Sequence, residues 1–174
     1  MSGHSKWKQI KYKKATSDAK KSKLFSKLAL LIANEAKKSG GDKNAPGLRA
    51  AIEKARAENM PGESIDRAIA RANRQQLLES ITYEGYGPGG VGIIVEALTA
   101  NRNKVVAEIK HAFSKYGGTL GAIGSVAWGF SKEHGEWTPT TTMPLDDDEA
   151  EKLGALVDAL EESDEVHAVY TNAA

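Results

Sequence analysis

The sequence contains no cysteine, which excludes disulfide bonds, zinc–thiolate sites and thiol nucleophiles. Long hydrophobic runs are also missing: the longest, residues 91–95, is far shorter than the roughly 20 residues that a membrane-spanning helix needs. Acidic residues are absent from the first 17 positions, but this basic stretch lacks the apolar core of a signal peptide. We therefore expect a cytoplasmic protein that has no contact with a membrane.

Charge is distributed unevenly along the chain. Residues 1–76 contain eighteen Lys and Arg against seven Asp and Glu, a net charge of +11, whereas residues 77–174 contain six against sixteen, a net charge of −10. Such an asymmetry indicates a module that binds nucleic acid, joined to a module that phosphate repels. A chain of 174 residues suits one domain or two small ones and leaves no room for a large buried substrate cavity. We place the domain boundary between residues 76 and 77.

The first half has the apolar period of amphipathic helices. Leu24, Leu28 and Leu31 belong to a stripe that predicts a helix over about residues 17–39, and Gly40-Gly41 stops it. Similar stripes predict a second helix around residues 48–55 and a third over 64–74, with a break at residues 59–62 between them. The first 15 residues are too polar for a core element. We interpret them as a flexible arm of this basic helical module.

The second half changes to β-type runs separated by glycine turns. Strands are predicted at residues 91–98, 125–130, 136–142 and 166–170, with one helix between the first two and another between the last two. Asp146 and Glu149 have the spacing of a capping box at the start of that last helix. The order β-α-β-β-α-β is the ferredoxin-like arrangement, and residues 81–86 can add a strand beside it. The predicted fold class is α+β.

Lysines of the arm and of the first helix are the main candidates for phosphate contacts. A lone lysine face is usually just solvated, but here the lysines of the arm alternate with Trp7 and Tyr12, whose rings suit unpaired bases. Ammonium groups meet phosphates, so the combination favours nucleic acid. The candidates are Lys6, Lys8, Lys11, Lys13, Lys14, Lys20, Lys23 and Lys27, with Trp7 as a stacking ring.

Arginines of the third predicted helix are further candidates. Arg67, Arg71 and Arg74 are spaced to lie along one edge of that helix. The short break before it permits a helix-turn-helix that reads duplex DNA, although an ordinary helical hairpin explains the same turn and is more common. The turn does not discriminate between DNA and RNA.

No pattern in the sequence indicates a catalytic site, a metal site or a cofactor site. The acidic run 146–149 is what the dipole of a helix N-terminus favours, and the four histidines have no ligand spacing. The glycine-rich run 85–90 lacks the Lys-Ser/Thr and the following helix of a phosphate-binding loop. We therefore expect no catalytic residue, no bound metal and no cofactor.

Several long motifs occur together in this sequence, and in this order they resemble the YebC/PmpR family, which includes the mitochondrial translational activator of cytochrome c oxidase. The motifs are residues 3–7 (GHSKW), 50–55 (AAIEKA), 59–61 (NMP), 83–90 (YEGYGPGG), 99–103, 156–161 and 164–172. Members of that family usually carry a further α/β domain between residues matching Phe130 and Trp137. Here only residues 131–136 bridge the gap, so the chain resembles a short form.

The resemblance implies a non-enzymatic regulator of gene expression. It suggests a ribosome-associated translation factor that relieves stalling at proline-rich stretches, with ribosomal RNA, the translating ribosome and tRNA as partners. The alternative it offers is a transcriptional regulator that binds duplex DNA. The arm from His4 and Ser5 to Lys14 is then expected to order on nucleic acid, and a basic protein is a further candidate partner for the acidic module.

Overall fold

A computed structural model describes residues 5–15 and 18–174, which form two compact units. The first, here called the helical unit, is Asp18–Glu79. The second, the α/β unit, joins the N-terminal helix α1 (Lys6–Ala15) to Ser80–Ala174. The predicted α+β class is confirmed, since helices are combined with a sheet of antiparallel strands. The division at Glu79 and Ser80 lies close to the predicted boundary, but α1 belongs to the other unit.

The helical unit contains three helices: α2 (Asp18–Ser39), α3 (Pro46–Ala57) and α4 (Gly62–Ala70). Their core consists of Leu28, Ile32, Ala36, Leu48, Ala51, Ile52, Ala55, Met60, Ile65, Ala68 and Ala72, all buried. Most of these are the residues whose spacing predicted the helices. The third predicted helix, however, ends earlier than expected, because the backbone tightens into a 3₁₀ turn at Arg71–Arg74.

The turn between α3 and α4 depends on one residue in the left-handed region. Asn59 has a φ of 64°, which asparagine tolerates better than most residues because its short polar side chain makes local contacts. The reversal lets the N–H of Met60 donate to the carbonyl of Ala55 at 3.0 Å. The chain can then begin α4 directly after Pro61, whose fixed φ suits a helix entry.

The α/β unit is built on a four-stranded sheet. Its strands are β1 (Glu79–Tyr86), β2 (Gly92–Thr99), β3 (Thr119–Leu120) and β6 (Val166–Thr171), in the order β3-β1-β2-β6. A separate two-stranded hairpin contains β4 (Phe130–Glu133) and β5 (Glu136–Pro139). The helices of this unit are α1, α5 (Arg102–Lys115) and α6 (Asp147–Glu162).

Strand β2 is buried on both faces. Ile93 and Val95 point into the main core with α5 and α6, whereas Ile94 points into a smaller cluster with Val126 and Phe130. Side chains of a strand alternate between faces, so covering both faces requires an uninterrupted apolar run. The longest apolar run of the sequence, residues 91–95, therefore lies in an inner strand of the sheet.

Helices α5 and α6 each begin with a side-chain cap. At the start of α6, Asp146 Oδ1 accepts from the N–H of Glu149 at 2.8 Å, and Glu149 Oε2 accepts from the N–H of Asp146 at 3.2 Å. This confirms the capping box predicted from the sequence. At the start of α5, Asn101 Oδ1 accepts from the N–H of Lys104 at 3.1 Å.

The strands of the sheet differ from the predicted set. Residues 125–130 form a loop and a short 3₁₀ turn rather than a strand, and only Phe130 enters β4. The physical reason is that the N–H groups of Val126 and Ala127, like that of the preceding Gly124, donate to the carboxylate of Glu84 instead of to a neighbouring strand. The predicted strand 136–142 is shortened to β5, which pairs with β4 outside the main sheet. The main sheet includes β3 in their place, together with β1, which confirms the additional strand predicted at residues 81–86.

The N-terminal arm is a helix, which corrects the expectation that it has no element. Trp7 is only 4% exposed and belongs to the core of the α/β unit, and Ile10 packs partly buried beside it. Residues three apart lie on one side of a helix, so this pair gives α1 an apolar contact with the unit. Ser5 caps the helix by accepting from the N–H of Lys8 at 3.2 Å. Two apolar side chains were too few to reveal the helix by their period.

Candidate nucleic-acid interface

An open groove of about 660 Å³ runs between α2 and α4 within the helical unit. We call it the arginine groove. Its lining residues are Ser22, Phe25, Ser26, Ala29, Met60, Ser64, Arg67, Ala68, Ala70, Arg71 and Arg74. Three guanidinium groups and three hydroxyl groups thus surround an apolar floor. Guanidinium and hydroxyl donors are the groups that contact phosphate oxygens in protein–DNA interfaces.

The three arginines of the groove differ in their partners. Arg67 Nη2 donates to Ser64 Oγ at 3.1 Å, which fixes its position along α4. Arg71 and Arg74 are exposed, and within residues 5–15 and 18–174 their guanidinium groups have no hydrogen bond or ion pair. Arg67, Arg71 and Arg74 are therefore brought together as the sequence predicted, although Arg71 and Arg74 lie on the 3₁₀ turn and only Arg67 lies on α4.

The predicted lysines of α2 are less available than the arginines. Lys20 and Lys23 are half-buried and have interactions within the protein. Lys27 is only 8% exposed and also has a partner, so little of it can meet a phosphate. Lys38 lies at the other end of the helix and pairs with Glu35 at 3.4 Å. On α2 the groove presents the hydroxyls of Ser22 and Ser26 rather than a lysine.

Helix α1 presents a second basic surface, on the α/β unit. Lys8, Lys11 and Lys13 are exposed, and the ring of Tyr12 is 73% exposed among them. Lys6 lies 3.7 Å from Glu151 of α6, so its charge is partly compensated. His4 and the side chain of Lys14 lie outside the described residues.

Trp7 and Ser5 have structural roles in place of the predicted contacts with nucleic acid. The indole of Trp7 is buried. Lys11 makes a cation–π contact with it, with Nζ 5.9 Å from the ring centroid. Ser5 Oγ donates to the carbonyl of Ala174 at 2.9 Å and so ties the start of α1 to the C-terminal residue. The interpretation of Trp7 as a stacking ring is corrected, because a buried indole offers no face to a base.

A rigid loop at residues 121–129 was not among the predicted sites. The carboxylate of Glu84 on β1 accepts from the N–H groups of Gly124 at 2.6 Å, Val126 at 3.0 Å and Ala127 at 2.7 Å. Burial alone would raise the pKa of Glu84, but these three hydrogen bonds outweigh it and hold the pKa below its ordinary value. Gly124 has a φ of 87°, a conformation that glycine adopts without strain.

The same loop exposes large apolar side chains. Trp128 is 77% exposed and Ile123 93%, and Tyr86 at the end of β1 is 42% exposed. Trp128 Nε1 and Tyr86 Oη both donate to the carbonyl of Ser125, each at 2.9 Å. The sequence did carry a signal for this surface: Trp128 lies in a run, residues 116–131, that contains no charged residue.

Metal and membrane features are not found in the described chain. Across residues 5–15 and 18–174, His, Asp and Glu side chains form no cluster of three or more that could hold a metal ion. In the same residues, helices long and apolar enough to cross a membrane are absent.

The fold and the basic surfaces define an α+β protein in which a helical unit of net charge +5 precedes an acidic sheet. The description "TACO1/YebC protein N-terminal domain" matches residues 5–75, and "TACO1/YebC second and third domain" matches residues 78–135 and 132–173. The chain belongs to the TACO1/YebC family, as its motifs indicated.

Relatives that are similar in sequence are named as regulators. The chain is 38% identical over 237 aligned residues to a "probable transcriptional regulatory protein" of Chloroherpeton thalassium, covering 99% of this chain and 95% of the relative. Proteins of that description from Thermoanaerobacter pseudethanolicus and Salmonella typhimurium are 54% and 51% identical, over 76% of this chain and 55% and 56% of theirs. The chain thus spans about half the length of these two relatives.

A solved structure has a similar fold. The crystal structure of a conserved hypothetical protein from Aquifex aeolicus matches with a TM-score of 0.72 and 31% identity, covering 90% of this chain and 91% of that one.

The alignments also locate the residues that this chain lacks. An alignment of 237 residues exceeds the 174 residues of the chain, so the Chloroherpeton relative has residues without a counterpart here. The two matched segments of the second and third domain overlap at residues 132–135, the end of β4 and the turn that leads to β5. This agrees with the expectation that the chain is a short form without the inserted α/β domain.

Proposed function

We propose that this protein is a non-enzymatic regulator of gene expression that binds nucleic acid through the arginine groove. The observation that carries the proposal is the pair of exposed guanidinium groups of Arg71 and Arg74, which have no partner in the described residues. Neighbouring like charges are unfavourable unless an anion lies between them, and phosphate is the anion that a guanidinium binds best. The hydroxyl of Ser22 adds a donor for the same phosphate chain, whereas the hydroxyl of Ser26 already donates to the carbonyl of Ser22 at 3.2 Å.

Duplex DNA is the first candidate for the nucleic acid. The printed names of the relatives describe transcriptional regulators, which favours this reading. The main physical ground for RNA was a flexible arm with Trp7 as a stacking ring, and that ground is lost because Trp7 is buried. A groove of arginines and hydroxyls suits the backbone of a duplex without requiring unpaired bases.

A ribosome-associated translation factor is the second candidate. It is favoured by Tyr12, whose ring is 73% exposed beside the exposed Lys8 and Lys11. An aromatic ring among lysines suits RNA whose bases are unstacked, as in the loops of ribosomal RNA or at the ends of tRNA. In this reading the factor relieves stalling at proline-rich stretches by favouring a reactive arrangement of bound tRNA, with no catalytic side chain of its own.

Two measurements test the proposal and separate the candidates. The first is the affinity of the full chain for duplex DNA and for ribosomal RNA across a range of salt concentrations. The second is co-sedimentation with ribosomal subunits from a nuclease-treated, DNA-free lysate. Tight, salt-resistant binding to one DNA sequence without co-sedimentation supports the transcriptional candidate. Co-sedimentation together with weak, sequence-independent DNA binding supports the translational one. No binding to either nucleic acid at low salt overturns the proposal.

A further inference from the structure

The end of β1 and the loop at residues 121–129 expose two aromatic rings, Tyr86 and Trp128, here called the aromatic platform, and the same loop also exposes Ile123. These are the large apolar side chains that residues 80–174 expose. Exposed tryptophan is uncommon on protein surfaces without a role in recognition, since its burial is worth more than that of almost any other side chain.

The two rings of the platform are oriented by one acceptor. Trp128 Nε1 and Tyr86 Oη both donate to the carbonyl of Ser125 at 2.9 Å, so the donor hydrogens of both rings are already used inside the protein. What remains for a ligand is the flat ring surface. A ligand held by ring surfaces alone must itself be flat or apolar.

The platform is held rigid by the carboxylate of Glu84. Three charge-assisted hydrogen bonds from Gly124, Val126 and Ala127 fix the loop that carries Ile123 and Trp128. A surface that is ordered before binding pays less conformational entropy when its ligand arrives.

The exposed area of the platform and the charge of its segments indicate the kind of ligand that fits it. Residues 116–131 contain no charged side chain, and neither do residues 85–95, so the two segments that carry the platform contribute no charge to it. Three side chains of this size expose roughly half of the about 800 Å² that each partner contributes to a stable protein interface. A nucleobase is flat, uncharged and of the size of one or two rings.

We propose that the aromatic platform stacks on an unpaired nucleobase of the nucleic acid that the protein binds, with Trp128 as the principal ring. This inference rests on the proposed function, because it assumes a nucleic-acid ligand. An unpaired base is supplied either by single-stranded or looped RNA or by an interrupted DNA duplex. The stacking chemistry is the same for both sources.

The experiment compares Trp128→Ala, Trp128→Phe and Leu77→Ala in the full chain. Leu77 is an exposed apolar residue of the helical unit and serves as the matched control. The probes are a short single-stranded RNA of mixed sequence, the corresponding single-stranded DNA, a fully paired DNA duplex, and that duplex with one unpaired base. Affinity is measured for each probe at several salt concentrations, and tryptophan fluorescence is recorded at saturation.

Trp128→Ala is expected to weaken binding of probes with unpaired bases by about 5- to 150-fold, since stacking on one base contributes that much. The log–log salt slope stays unchanged, because no phosphate contact is lost. Trp128→Phe retains most of the affinity, and Leu77→Ala binds like the wild type. Fluorescence of the wild type is quenched by these probes, and in Trp128→Phe that quenching disappears. The fully paired duplex shows neither effect.

The results separate this inference from the proposed function. A wild-type protein that binds none of the probes overturns both. A wild type that binds, with Trp128→Ala equal to it on every probe, overturns the platform alone. An affinity loss that comes with a smaller salt slope, or that is equal for paired and unpaired probes, also overturns the stacking role. The single-stranded RNA and interrupted-duplex arms then show which source of unpaired base the platform prefers.

Discussion

Asn34 in α2 holds the main chain of Leu78 through two hydrogen bonds, although the two residues are far apart in sequence. Its Oδ1 accepts from the N–H of Leu78 at 2.8 Å, and its Nδ2 donates to the carbonyl of Leu78 at 3.4 Å. Asn34 is completely buried. The amide thus imitates a neighbouring strand and fixes the last residues of the helical unit against its longest helix.

Replacing Asn34 by alanine is expected to destabilise the helical unit by about 1–3 kcal/mol, because it leaves a main-chain donor and acceptor of Leu78 without partners. Urea unfolding followed by circular dichroism measures the change. Asn44→Ala is the control, since Asn44 is exposed and only its main-chain N–H is bonded, to Asp42. Equal stability of the two variants would show that the two hydrogen bonds between Asn34 and Leu78 contribute nothing to the free energy of unfolding.

Glu84 makes the α/β unit sensitive to acid. Its pKa in the folded protein lies below the ordinary value of 4.5, despite burial, because of the N–H groups of Gly124, Val126 and Ala127. A depressed pKa means that the stabilisation is fully present above pH 4.5 and is lost as the pH falls through the folded-state pKa. The wild type is therefore expected to lose stability in that range.

Glu84→Gln tests this reasoning, because it keeps the shape and removes the charge. The variant should be less stable than the wild type by about 1–3 kcal/mol at neutral pH, and the difference should shrink below pH 4.5. Thermal unfolding at a series of pH values measures it, with the exposed Glu133→Gln as the matched control. A difference independent of pH would assign the effect to packing and not to ionisation.

The arginine groove predicts a defined salt dependence. Replacing both Arg71 and Arg74 by glutamine should lower the log–log salt slope of nucleic-acid binding by about 1.4–1.8, since each phosphate contact contributes about 0.7–0.9. Each single variant, Arg71→Gln or Arg74→Gln, should lower the slope by about half as much, and Arg49→Gln is the control that matches these single variants in charge, because Arg49 is exposed but pairs with Glu53 at 3.3 Å. If Arg49→Gln lowers the slope as much as the groove variants do, binding depends on net charge and not on the groove.

The translational candidate predicts a message-dependent effect. In a reconstituted translation reaction, added protein should speed synthesis through consecutive prolines and leave a proline-poor message nearly unchanged. Replacing Lys8, Lys11 and Lys13 by alanine should remove the difference, because these exposed lysines surround Tyr12. Lys6→Ala is the control, since Lys6 is close to Glu151. If adding the wild type changes the rate of synthesis on neither message, the translational candidate is wrong and the transcriptional candidate remains.

Sequence patterns predicted the helical unit well because its helices carry their own signals. The stripe of Leu28 and Ile32, together with the stop at Gly40, defines α2 within a residue at either end. The capping box of Asp146 and Glu149 is equally local. A helix whose core contacts repeat along one face can be predicted without knowing what covers it.

The errors came from contacts between distant residues. Trp7 was interpreted as a stacking ring because its neighbours are lysines, whereas its burial depends on the main core of the α/β unit. Residues 125–130 have the composition of a strand, but their N–H groups are claimed by Glu84, which lies about forty positions earlier. The arginines were correctly grouped, but the serines that complete the groove had no distinctive pattern.

The hairpin of β4 and β5 has a consequence for how this family varies in length. Its strands bond to each other and not to the four-stranded sheet, and its turn at His134-Gly135 uses two left-handed residues. Paired strands bring the two ends of a turn close together, so a whole folded domain can be attached there without stretching its surroundings. The hairpin is thus an insertion point. An accessory domain can be gained or lost there while the sheet, the arginine groove and the aromatic platform keep their residues.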